Sequence, residues 1–158
     1  MQRDEFVSRY GGIYEHSAWV AERVFDAGDG NADSVELELL MKRCVDDASR
    51  ERKLALIRAH PDLAGRAAVA GELTAESTGE QAAAGIDRCN EEEYARFNSF
   101  NARYRDKFGF PFVMAVRNSN RDEILAAFER RLANEREAEF ATALREIHTI
   151  ARLRLEAM

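Results

Sequence analysis

Only two prolines, Pro61 and Pro111, interrupt 158 residues in which apolar side chains keep returning at steps of three and four. Strand-type alternation is hard to find anywhere, so the pattern predicts helices almost throughout. Hydrophobic residues make up 46% and charged residues 33%, the balance of an ordinary globular protein. A chain of this length can bury roughly 70% of the surface it exposes when unfolded. The expected fold is therefore all-α, a compact single-domain helical bundle of about eight to ten helices.

Phe6, Tyr10, Ile13 and Tyr14 open the first helical stretches, and Trp19, Val20, Val24 and Phe25 continue them to a break at Gly28-Asp29-Gly30-Asn31. From Ser34, the residues Leu37, Leu40, Met41, Cys44, Val45 and Ala48 share a helix face. After Ser49 a second helix carries Leu54, Ile57 and Ala59, and it should end near His60, because the residue before a proline is pushed out of the helical region. An Ala-rich segment through Leu63, Ala64, Ala67 and Ala68 closes at Gly71. Ser77 to Gln81 starts the next helix, running toward Cys89, and Asn90 starts a longer one whose Tyr94, Phe97, Asn101, Tyr104 and Phe108 share a face. Gly109 to Val116 reads as extended. Asn120-x-x-Glu123 is a capping-box pattern opening a helix with Ile124, Leu125, Phe128 and Leu132, and the last helix carries Phe140, Leu144, Ile147, Ala151 and Leu155.

The net charge of −6, with arginines interleaved among acids as in Glu129-Arg130-Arg131, argues against nucleic acid as a partner. The apolar runs are far shorter than the roughly 18 or more residues a membrane span needs, and the first residues do not form a signal-peptide core. A cytoplasmic location without membrane attachment is expected. Cys44 and Cys89, with no Cys-x-x-Cys spacing, give neither a disulfide framework nor a zinc site and read as buried small residues. His16, His60 and His148 make no His-Glu-x-x-His or Glu-x-x-His pair, so no metal is expected.

Four features carry possible chemistry. His60 sits where Pro61 favours an extended backbone at a helix end, so its ring either points into a cleft as a proton-exchanging group or bonds the last carbonyls of its helix. Ser77, Glu80 and Gln81 lie at i, i+3 and i+4 on one helix side. Ser77-x-x-Glu80 is then either a capping box or, with Glu80 in a pocket, a group that positions a hydroxyl or exchanges a proton beside an amide-binding Gln81. In the last helix, positions 140, 144, 147, 151 and 154 form one stripe that ends in Arg154, whereas Arg152 lies about 200° away on the polar face with Arg145, His148 and Thr149. A permanent charge on the core side calls for an anion, either a structural Glu or Asp or a substrate carboxylate. The Phe112-Val113 stretch offers backbone amides to a ligand oxygen. Serine-hydrolase, nucleotide and dinucleotide motifs are missing. Together these residues suit a small, polar, anionic ligand.

Five segments, in order and spacing, carry a resemblance that runs nearly end to end. They are Gly12-Ile13-Tyr14-Glu15-His16-Ser17-Ala18-Trp19-Val20-Ala21, Leu56 through His60-Pro61-Asp62-Leu63-Ala64-Gly65, Ser77-x-x-Glu80-Gln81, Asn101-x-x-Tyr104-x-x-Lys107-Phe108-Gly109-Phe110-Pro111-Phe112-Val113, and Glu146-Ile147 through Leu153-Arg154-Leu155. In these the chain resembles the 2-oxo-4-hydroxy-4-carboxy-5-ureidoimidazoline (OHCU) decarboxylases of urate breakdown. A proline is common where Ala18 stands. The resemblance implies one OHCU decarboxylase-like helical domain over residues 1–158, a homodimer, and conversion of OHCU to (S)-allantoin and carbon dioxide without a cofactor. It implies His60 and Glu80 as the catalytic pair and Ser77 and Gln81 as hydrogen-bonding partners of the ring or ureido group. It further implies a ligand contact from the Pro61 carbonyl, backbone amides presented by Phe112 and Val113, and substrate oxygens bound by Arg154.

Two other classes compete with this expectation. A helical binding module would use the same pocket without turnover, but a binder of an anion needs no proton-transfer group, and His60 and Glu80 are both present. A helical metallohydrolase would need a clustered ligand set that the spacing does not show. The chain ends Leu155-Glu156-Ala157-Met158 without a peroxisomal Ser-Lys-Leu, in keeping with a cytosolic protein of bacterial type.

Overall fold

The structure is a computed structural model that describes residues 1–64 and 73–158. Among these residues the fold is all-helical, with eight α-helices, one 3-10 turn and no strand. Ala67, Ala68 and Gly71 of the expected Ala-rich segment, and Gly65 of the His60-Pro61 stretch, lie outside the described residues. Two compact units make up the chain: Met1–His60 with Ile147–Met158, and Pro61–Glu146. The chain passes between them at two bonds, His60–Pro61 and Glu146–Ile147.

In the first unit, α1 (Arg3–Tyr10) and α3 (Ser34–Asp46) both pack on α2 (Trp19–Asp26), and α4 (Arg50–Arg58) follows. Asp33 caps α3 through a full capping box with Glu36, and Ser49 caps α4 by accepting from the Arg52 amide. Phe6, Val20, Val24, Leu37, Met41 and Ile57 are buried on the faces that periodicity assigned to them. Ile13 and Tyr14 are buried too, but in the turn between α1 and α2 and not in a helix. Helix α4 ends at Arg58 with Ala59 as its C-cap, as the coming proline requires.

The second unit holds α5 (Ala75–Ala83), the 3-10 turn Ile86–Arg88, α6 (Glu91–Phe108) and α7 (Arg121–Leu132), with α6 packed on α7. Helix α8 (Arg136–Glu156) supplies its first residues to this unit and its last to the other. Asn90 caps α6 with a complete box to Glu93. Asn120 caps α7, but the Glu123 side chain accepts from the Asn120 side-chain amide and the Ser119 hydroxyl in place of a backbone amide. The expected start at Ser77 is corrected by the structure: Thr74 is the cap, accepting from the Ser77 amide, and α5 stops at Ala83 short of Cys89.

Aromatic rings fill the second core. Phe112 stacks on Phe128 with ring centroids 3.8 Å apart, and Tyr104 meets Phe108, Phe110 and Phe112. Each such ring contributes about 1.5–3 kcal/mol by leaving water. Gly109 ends α6 in the left-handed region at φ +77°, where a side chain would be strained, and turns the chain into a stretch to Val116 that is neither helical nor strand-paired. Both cysteines are half-buried, not buried as expected, and burial pushes both thiols up. No helix is long and apolar enough to cross a membrane, among the described residues.

Candidate active site

The site residues fall in both units, His60 and Arg154 in the first and Pro61, Ser77, Glu80, Gln81, Phe112 and Val113 in the second. His60 follows the last turn of α4 and is buried. Its Nδ1 lies 3.0 Å from the Leu56 carbonyl oxygen. A carbonyl only accepts, so Nδ1 carries the proton and Nε2 holds the lone pair of the neutral ring. Burial pulls the ring from the ordinary 6.5 down to about 4, against the bond to Leu56 and the charge of Glu15, while Arg154 and His16 add to the fall. At neutral pH His60 is therefore an uncharged base. The helix-end carbonyl contact does occur, and it uses only Nδ1.

Arg154 is buried at the end of the α8 stripe, as the stripe predicted, and Arg152 is exposed. Its Nη2 donates to Glu15 Oε2 at 2.9 Å, and its Nη1 donates to the carbonyls of Gly12 at 3.1 Å and Ile13 at 3.4 Å. The structural carboxylate partner is thus present. Glu15 lies in the turn between α1 and α2, where no periodicity marks it, so sequence reasoning assigned it no role.

His148 departs from the solvated polar face expected for it. Its Nε2 donates to Asp46 at 2.9 Å, because a carboxylate only accepts, and its Nδ1 then accepts from the Tyr14 hydroxyl at 2.8 Å. One step round α8 from the buried Ile147, the ring reaches both partners within the first unit.

In the second unit, Thr74 already caps α5, so Ser77 stands inside the helix and does not open it. Ser77 and Gln81 are both buried, one turn apart, and Glu80 beside them is half-buried. The Gln81 Oε1 accepts from the Ala64 amide at 3.2 Å, and its Nε2 donates to the Asp62 carbonyl at 3.5 Å. Asn101 of α6 adds a bond from Nδ2 to the Leu63 carbonyl at 2.9 Å. Two side-chain amides therefore hold the turn that follows Pro61, in which Ala64 takes a left-handed φ of +54°.

Phe112 and Val113 are fully buried. Their backbone is fixed from two sides: Arg131 Nη1 donates to the Val113 carbonyl at 2.7 Å, and the Ala115 amide donates to Glu146 Oε1 at 3.3 Å. The Arg131 guanidinium also lies 4.3 Å from the Phe112 ring centroid. Sequence reasoning missed Arg131, although its spacing from Ile124 and Phe128 on α7 marks it as core-facing. No group of three or more His, Cys, Asp or Glu side chains is arranged to hold a metal, among the described residues.

Comparison with known proteins places the chain in a family. The profile of the OHCU decarboxylases matches residues 1–156. The OHCU decarboxylase of Haloferax volcanii is 51% identical over 96% of this chain and 88% of its own length. That of Halalkalicoccus jeotgali is 44% identical over 99% of this chain and 86% of its own. The crystal structure of an (S)-allantoin synthase superposes with a TM-score of 0.78 at 36% identity, covering 99% of this chain and 50% of that one. The chain belongs to the OHCU decarboxylase family.

Proposed function

We infer that this chain decarboxylates OHCU to (S)-allantoin and carbon dioxide in urate breakdown, without a cofactor. The observation that carries the reading is His60, a neutral buried base at a helix break, within the electrostatic reach of a buried arginine. Family membership supplies the substrate. In OHCU the carbon that loses carbon dioxide adjoins a ring C=N, which accepts the electron pair of the breaking bond. The protein has to place the substrate, stabilise developing charge and deliver a proton to one face of the former C=N carbon, which becomes the stereocentre. A carboxylate leaves as a neutral gas, so the reaction takes up one proton overall.

In this reading His60 and Glu80 divide two transfers, removal of the substrate hydroxyl proton and stereospecific protonation of the former C=N carbon, while the ring nitrogen that accepts the electron pair takes the one proton drawn from solvent. Arg154 binds substrate oxygens, Ser77 and Gln81 hydrogen-bond the ring or ureido group, the Pro61 carbonyl contacts the ligand, and Phe112 and Val113 present backbone amides. Residues 1–158 act as one catalytic domain, working as a cytoplasmic homodimer. Freshly made OHCU, followed by ultraviolet absorbance and circular dichroism, tests the function. Acceleration with an optically active product is the expected result; decay at the spontaneous rate to racemic product would leave a binding module. Sedimentation of the purified protein tests the dimer.

A further inference from the structure

Glu15 is 2% exposed, and the reading above gives it no part. A carboxylate at that depth has to be neutralised, and it meets Arg154 in an ion pair of 2.9 Å. The turn around it is built to keep it there. Ser17 Oγ donates to the Glu15 carbonyl at 2.8 Å, and Arg154 also takes the Gly12 and Ile13 carbonyls, so residues 12–15 fold round one guanidinium. The next residue, His16, is held in the left-handed region at φ +47°, a conformation that persists only where the surroundings impose it.

We propose that Glu15 is a positioning residue of the decarboxylation site, which fixes the guanidinium of Arg154 for the substrate anion and sets the charge felt by His60. This rests on the roles given to His60 and Arg154 above. Buried ion pairs are weak stabilisers, so stability is a poor reason for this one, whereas the charges of both partners act on His60. Among the charged and titratable groups that act on His60, Glu15 favours its protonation, and Arg154 and His16 oppose it. Burial holds His60 neutral, and Glu15 balances the Arg154 charge that would otherwise lower its proton affinity further. An anion arriving at Arg154 then adds net negative charge, which raises the proton affinity of His60 as it takes the substrate proton.

The test compares E15Q and E15D with the intact chain for fold by circular dichroism, for KM and kcat on fresh OHCU, and for the titration of the His60 ring by NMR. E15Q keeps the shape of the side chain and removes its charge. It is expected to raise KM about tenfold or more and to move the His60 titration to lower pH by about half a unit or more. E15D keeps the charge with a shorter reach, so KM rises while the titration stays near the parent value. A folded E15Q with the parent KM and an unmoved titration overturns the proposal. Should E15Q not fold, a folded E15D with the parent KM overturns it equally. Failure of the underlying reading looks different, because H60N and R154A would then keep near-normal turnover whatever Glu15 does.

Discussion

Arg131 Nε lies 2.8 Å from Glu139 Oε1 inside the second unit, with Glu139 wholly removed from solvent. The same carboxylate oxygen accepts from the Tyr104 hydroxyl at 2.6 Å, and the other accepts from Asn134 at 3.0 Å. Burial and the bond to Glu139 both push the Tyr104 hydroxyl up, so it stays a donor. Since Arg131 also grips the Val113 carbonyl, the network ties the start of α8 to the backbone proposed to face the substrate.

Removing one member should strand the other. E139A and R131A are each expected to cost about 3–5 kcal/mol in urea unfolding, because a lone buried charge remains, and the double change R131M/E139L should cost less than either. Y104F removes the hydroxyl that donates to Glu139 and accepts from Arg131 at 3.4 Å, and should cost about 1.5–3 kcal/mol. Singles that cost no more than the double would show that the pair is not desolvated as the structure has it.

Local chemistry was the most legible part of the fold. The caps at Ser49, Asn90 and Asn120 were readable because each is decided within four residues. Ser77 misled because Thr74, three residues earlier, offers the same signal, and only the buried position of Ser77 shows which of the two caps. Arg154 was legible from a long apolar stripe, and its carboxylate partner was expected in kind. That the partner is Glu15 was not, because residue 15 sits in a turn with no periodicity, and its distance along the chain from Arg154 is closed only by folding. Arg131 was lost within a run of charges that reads as surface, although the α7 spacing pointed inward.

The pH dependence of stability should carry the mark of His60. Its ordinary value is 6.5 and its folded value about 4, so the unfolded chain binds more protons between them. The contribution is complete above pH 6.5 and is lost as pH falls through the folded value, about 3 kcal/mol in all. Urea unfolding across this range should find the intact chain losing stability more steeply than H60N. Parallel curves would mean that the ring is not buried neutral.

Turnover separates the two proton-transfer groups. H60N and E80Q, each folded by circular dichroism, are expected to lose about 10²–10⁴ in kcat. The variant lacking the group that protonates the ring carbon should also lose the optical activity of its product, while the other slows without racemising. Near-normal kcat in either variant would remove that residue from the mechanism.

His148 offers a test of the first unit away from the reacting groups. Burial holds its ring below the ordinary value, with Asp46 pushing the other way and Lys42 and Lys53 adding to the fall. Burial disfavours ionised Asp46, but hydrogen bonds from Lys42 and His148 outweigh it and keep that carboxyl below its ordinary value. D46N takes away the group that favours the imidazolium, so the His148 titration should move further down. The folded value of the ring already lies below the unfolded one, so this contribution to stability is present above the ordinary value and fades as pH falls through the folded one. D46N should widen the interval over which it fades. Y14F, which removes the hydroxyl bonded to Nδ1, should cost about 1 kcal/mol near neutral pH. NMR titration of the ring in both variants decides the matter: an upward shift in D46N would mean that Asp46 does not face His148 in solution.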